Sequence, residues 1–194
     1  MISEEPSLVP VAAFSPKKQL AFALLVFERM LPSLIAFSKG TGFDDTSYLR
    51  ARDAAWAALQ NGPVDQSLNQ AYLGSAPDTE EFSHELTSQA LNAALAMRNI
   101  LEFTLDERVD HIADILMLAR DSLHLYLSSL EPSVVSTPEE DRWIASHPLV
   151  QQEQSREQED VKFLSELPDH FDKNTISALR ARASAQPPLL PLSG

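Results

Sequence analysis

The sequence predicts an all-α fold, a single-domain helical bundle of about seven to nine helices. Three observations predict it. Apolar residues recur at spacings of three and four along most of the chain, and no run alternates with period two for long enough to make a strand. Proline is frequent and glycine scarce, 13 against 5 in 194 residues, which fits helices punctuated by proline better than β-turns. A chain of this length also buries roughly 70% of its extended surface, enough for one sizeable core.

Residues 1–14 are expected as an extended N-terminal arm, 15–183 as the helical domain and 184–194 as a Pro-rich C-terminal tail. Ser15 before Pro16 has the pattern of an N-cap with proline at the first helical position. Leu20, Leu24, Phe27 and Leu31 follow at helical spacing, and Phe22, Leu25 and Val26 widen the stripe, so this helix belongs at the centre of the core. Pro32 is expected to kink or end it, leaving a shorter helix with Leu34, Ile35 and Phe37 that Gly40 and Gly42 close. Asp44, Asp45 and Thr46 offer caps for a helix through Tyr48, Ala55, Trp56 and Leu59, which Gly62 and Pro63 end. A short helical segment is expected around Leu68 to Leu73.

Two long helices follow, with Leu86, Ala90, Ala93, Met97 and Ile100 on one and Val109, Ile112, Leu116, Leu123 and Leu130 on the other. Thr104 with Glu107 three residues on reads as a capping box that opens the second, so 84–130 is expected to form a central antiparallel hairpin. Glu131 to Ser136 is expected as a loop. Thr137 and Pro138 open a short helix through Trp143, and Ser146 or His147 caps another at Pro148. That helix is polar from Gln151 to Asp160 and regains Val161 and Leu164 before Pro168; a last piece carries Ile176, Leu179 and Arg180.

The net charge is −13, which argues against nucleic acid and against anionic membrane as partners, since both are recognised by basic clusters. No cysteine is present, which removes disulfides, thiolate metal sites and cysteine nucleophiles together. The first residues carry Glu4 and Glu5 where a secretory leader would be basic, and the longest apolar run, Leu20 to Phe27, is far short of a membrane span; a cytoplasmic location is the expectation. Residues 139–172 hold ten acids and three bases, and 173–194 three bases and no acid. This pattern reads as a solvated acidic helix beside a neutralising tail, the alternative being that Glu153, Glu157 and Asp160 form a face for a basic partner.

Candidate chemistry collects at Glu28, Arg29, His84, His111 and Asp114. Glu28 and Arg29 interrupt the most apolar stretch of the chain, where they could line a pocket or pair with charges on neighbouring helices. Asp110, His111, Asp114, Asp121 and His124 lie on one helix, and His111 with Asp114 shares a face that could ligate a metal if Glu28, His84, Glu85 or Glu102 joined from elsewhere. A solvated helix face explains the same spacing better, so no metal and no cofactor are expected. No nucleophile elbow or phosphate-binding loop occurs.

The stretch Phe27, Glu28, Arg29, Met30, Pro32, Phe37, Thr41, Gly42, Phe43, Tyr48 and Trp56 resembles the YjaG-like bacterial family, domain of unknown function 416. A second match is His147, Pro148, Val150, Gln152 and Glu153, then Val161 to Leu164 and Leu179 with Arg180; Ala90 to Met97 fits more loosely. The chain departs from the pattern at Asn92, where an acidic residue is expected, and in its Pro-rich tail. The resemblance implies an α-helical bacterial protein with no catalytic residues to carry over, and a signalling role alongside histidine kinases.

Taken together, these features predict a protein-interaction or regulatory module with a protein partner or a second copy of itself. An exposed patch at Leu8, Val9, Val11 or the 187–192 tail would serve such a role. The alternative is a metal- or carboxylate-dependent enzyme or small-ligand binder, with Glu28, His84 or His111 and Asp114 gathered in a concavity of the bundle.

Overall fold

The computed structural model describes residues 7–62, 64, 76–130 and 138–192. These form eight helices and no strand: α1 (Leu8–Ala12), α2 (Pro16–Thr41), α3 (Thr46–Asn61), α4 (Thr87–Asp106), α5 (Asp110–Leu130), α6 (Pro138–Ser146), α7 (Pro148–Glu166) and α8 (Lys173–Ala185). The all-α bundle expected from the periodicity is therefore the fold. The segment around Leu68 to Leu73 and the loop from Glu131 to Ser136 lie outside the described residues.

The bundle is assembled around α2, which packs against α1, α3, α4, α5, α7 and α8. Ser15 stands at the N-cap position without a capping hydrogen bond from its side chain, Pro16 is the first helical residue, and every residue from Leu20 to Phe27 is buried. By length and composition α2 could cross a membrane, but 78% of its most apolar 18-residue window is buried inside the fold. Pro32 does not end the helix. The shorter helix expected after it is the second half of α2, which runs on to Thr41. Proline lacks the N–H that would bond the carbonyl of Glu28, a cost of about 3 kcal/mol in a helix interior. Burial of Leu31 and Leu34 on either side, and of Phe37 a turn further on, offsets it. Gly42 ends the helix at φ +77°, and its N–H donates to the Ser38 carbonyl.

Helices α4 and α5 pair along their length. Asn99 meets His111 near the turn, and Asn92 reaches Leu118 and Ser122 further from it, the pattern of an antiparallel hairpin. The turn sits later than the capping-box reading placed it. Thr104 is the last turn of α4, its hydroxyl donating to the Leu101 carbonyl, while Glu107 adopts the left-handed conformation at φ 56° and the Arg108 N–H donates to Asp106. Asp106, rather than Thr104, therefore organises the connection. His147 caps α7 through Nδ1, which accepts from the Leu149 N–H, and Asp172 caps α8 by accepting from the Thr175 N–H.

Both ends of the described chain differ from expectation. Residues 8–12 are helical instead of extended, and Val11 is buried. The tail does not project as an apolar patch either. Leu189 and Leu190 are buried, and the Leu189 N–H donates to the Arg29 carbonyl at 2.7 Å, so the segment lies against α2.

Candidate functional site

Along α7 the core-facing positions follow the 3-4-3-4 rhythm of a buried helix stripe: Val150, Glu153, Glu157, Asp160 and Leu164. The three middle positions are acids. Both readings of these acids, the solvated helix and the alternative docking face made of Glu153, Glu157 and Asp160, are thus corrected: all three are 2% exposed or less. Each acid is buried because it faces a partner that the apolar rhythm brings to the same depth.

Arg29 on α2 supplies most of that partnership and is itself 1% exposed. It grips both oxygens of Glu153 in a bidentate fork, Nη2 donating to Oε1 at 2.6 Å and Nε to Oε1 at 2.8 Å and to Oε2 at 3.0 Å. Its Nη1 donates to Asp160 Oδ2 at 2.7 Å and to Gln186 Oε1 at 2.6 Å. Burial works against the guanidinium charge, but Glu153 and Asp160 together outweigh it and hold the group above its ordinary value. Asp160 also accepts from Arg182 Nε at 2.7 Å and Gln186 Nε2 at 2.9 Å, both through Oδ1. Arg156, one turn along α7, reaches Glu153 only at 3.6 Å and the Pro188 carbonyl at 3.4 Å. Glu157 turns to the N-terminal segment, accepting from the Ser7 hydroxyl at 2.8 Å. Its burial pushes the carboxyl up to about 7, against the Ser7 hydrogen bond.

An open groove of about 460 Å³ lies between α7 and α8, lined by Gln152, Ser155, Arg156, Glu159, Arg182 and Gln186. Three of those residues, Arg156, Arg182 and Gln186, also belong to the buried charge network.

The five residues singled out in the sequence do not form one site. Arg29 is in the network just described. Glu28, its neighbour, faces α3, where its Oε1 accepts from Arg52 Nε and from Trp56 Nε1 at 2.7 Å, and Arg180 sits 5.4 Å from the Trp56 ring. His84 is a local brace: its Nδ1 accepts from the Leu86 N–H, its ring stands edge-on to Phe37, and a Cβ on Gly40 would come within 2.7 Å of its Nε2. His111 fastens the hairpin turn, contacting Asn99 through Nδ1 and Asp106 through Nε2. Asp114 is exposed, so His111 with Asp114 does not form the concavity of the alternative reading. No group of three His, Cys, Asp or Glu side chains among the described residues could hold a metal ion.

Glu153, Asp160 and Gln186 reach Arg29 from more than 120 residues away, a separation that spacing along the sequence does not bridge, and Arg182 joins them through Asp160. One signal was available. The acids at 153, 157 and 160 continue the spacing of Val150 and Leu164, and so occupy core positions.

The sequence profile of DUF416, a family described as protein of unknown function, matches residues 8–187. A crystallographically solved DUF416 family protein from Shewanella baltica superposes on the chain with a TM-score of 0.81 and 17% identity, covering 91% of this chain and 92% of that one. At that identity the likeness is one of fold. No curated protein matches the sequence.

Proposed function

The chain belongs to the DUF416 family, and from that premise we propose that it is a protein-interaction module that docks a basic amphipathic helix of a partner protein on the outer face of α5. One observation carries the reading. Asp110, Asp114, Met117, Asp121, His124 and Leu125 are all exposed and fall within an arc of about 100° around the helix. Met117 and Leu125 are 50% and 42% exposed, large apolar side chains two turns apart on a face otherwise made of three aspartates and His124. Methionine and leucine two turns apart match the anchor spacing of helix-on-helix docking. The aspartates select the partner: Asp110 is engaged by Arg108, whereas Asp114 and Asp121 flank the apolar pair and favour lysine or arginine opposite them. The same face of a second copy would set aspartate against aspartate, so a different, basic chain is the fitting occupant. A regulatory role of the kind the family resemblance implies would act through this face.

The test is a photo-crosslinking residue placed at Met117 in cells, with Ser177 on α8 as the comparison position. The reading expects one discrete adduct from position 117 that is lost in the Asp114→Asn/Asp121→Asn/Leu125→Glu variant while the fold is unchanged. The same adducts from both positions, or an adduct indifferent to those substitutions, would refute it.

A further inference from the structure

The groove between α7 and α8 is independent of the α5 face, and the buried charges beneath it do not balance among themselves. Three guanidinium groups, Arg29, Arg156 and Arg182, meet two carboxylates, Glu153 and Asp160. Arg29 takes the best geometry, donating through all three of its nitrogens. Arg156 is left with two long contacts although it is only 8% exposed, and Arg182 commits Nε to Asp160 and lies 4.9 Å over the Phe163 ring, while its buried Nη2 hydrogen-bonds nothing. Glu157 does not supply the missing charge, because it is turned to Ser7. A guanidinium that is largely desolvated and incompletely bonded is an anion receptor, and its planar fork matches a carboxylate.

The rim adds a second constraint. Glu159 is exposed one turn beyond Arg156 and lines the same groove. Its negative charge works against a dianion such as phosphate and offers an ammonium group a partner. Gln152 and Ser155 complete the wall with neutral hydrogen-bonding groups. The volume of about 460 Å³ lies within the range of small-molecule sites.

We propose that this groove binds a small zwitterion of the α-amino-acid class, its carboxylate held by Arg156 and Arg182 and its ammonium group by Glu159. The network beneath is then a scaffold, with Arg29 fixing the carboxylates that position the two receptor arginines.

Binding of each proteinogenic L-amino acid, of its N-acetyl derivative and of inorganic phosphate to the full chain, followed by calorimetry and by chemical-shift changes at Arg156 and Arg182, tests this. At least one L-amino acid is expected to bind at millimolar concentration or below, with its N-acetyl derivative and phosphate weaker. Arg156→Gln should weaken it by about tenfold or more, a change of ~1.4 kcal/mol. Glu159→Gln should weaken the amino acid while sparing the N-acetyl derivative. Because Arg156 touches the buried network, Ala185→Trp, which fills the groove from an exposed position, provides a second variant that should abolish binding with the unfolding transition unchanged. Absence of binding by every amino acid, or binding that survives both Arg156→Gln and Ala185→Trp, would overturn the proposal. Phosphate binding tighter than any amino acid would overturn the role of Glu159 and with it the zwitterion.

Discussion

Arg29 shows how much can hang on one side chain. Arg29→Ala would leave Glu153 and Asp160 buried without their principal partner, and loss of one member of such a pair typically costs about 3–5 kcal/mol. Urea denaturation should show that loss, and Arg29→Lys should recover only part of it, since an ammonium group cannot reproduce the bidentate fork. Glu157 carries a different prediction. Its carboxyl is raised to about 7 from the usual 4.5, so between those values the folded state binds the proton more tightly than the unfolded chain does. Stability contributed by the protonated form is therefore fully present below the unfolded value and is lost as pH rises through about 7. The loss is at most about 3 kcal/mol, at 1.36 kcal/mol per unit. The neighbouring charges are Glu153 on the same helix, Arg120 on α5 and Arg29 on α2. Glu157→Gln keeps the Ser7 contact and should flatten the decline in urea midpoint between weakly acidic and weakly alkaline buffer; an unchanged decline would remove Glu157 as its source.

At the level of elements, α2 was legible because nothing but a central helix accommodates the run from Leu20 to Phe27. The position of Arg29 in that run was legible too, but not its partners, which arrive on α7 and in the tail. Helix α7 departs from its expected solvation for a physical reason. Charge on a helix usually means solvent, and only the phase of Glu153, Glu157 and Asp160 relative to Val150 and Leu164 shows that these acids point inward. The prolines of the C-terminal segment exclude helix, which is all that the pattern of this Pro-rich tail shows, whereas extended backbone can still dock. Ending the chain after Pro187 removes Leu189 and Leu190 from the core along with the hydrogen bond to the Arg29 carbonyl. At roughly 1.5–3 kcal/mol for each buried leucine, the truncated protein should be at least about 3 kcal/mol less stable by denaturant titration.

For the whole molecule, the charge of −13 is divided between two environments. The acids of the α7 stripe are compensated inside, while the surface acids repel one another through water. Added salt screens the second group and leaves the first nearly untouched. The melting temperature should therefore rise with ionic strength from dilute buffer, and the Arg29→Ala penalty should stay nearly constant across the same series. Thermal unfolding of both proteins over a range of salt concentrations separates the two effects. The long reach of Arg29 also bears on synthesis. A growing chain presents the most apolar helix and its arginine early, but the carboxylates that neutralise that arginine lie 124 and 131 residues downstream. Until α7 and the docking segment have left the ribosome, Arg29 cannot meet its carboxylates and the side of α2 that these elements cover stays open. Closure of the fold around Arg29 is thereby tied to the emergence of α7 and the docking segment, and until then the nascent protein should be a client of whatever shields apolar segments at the exit tunnel.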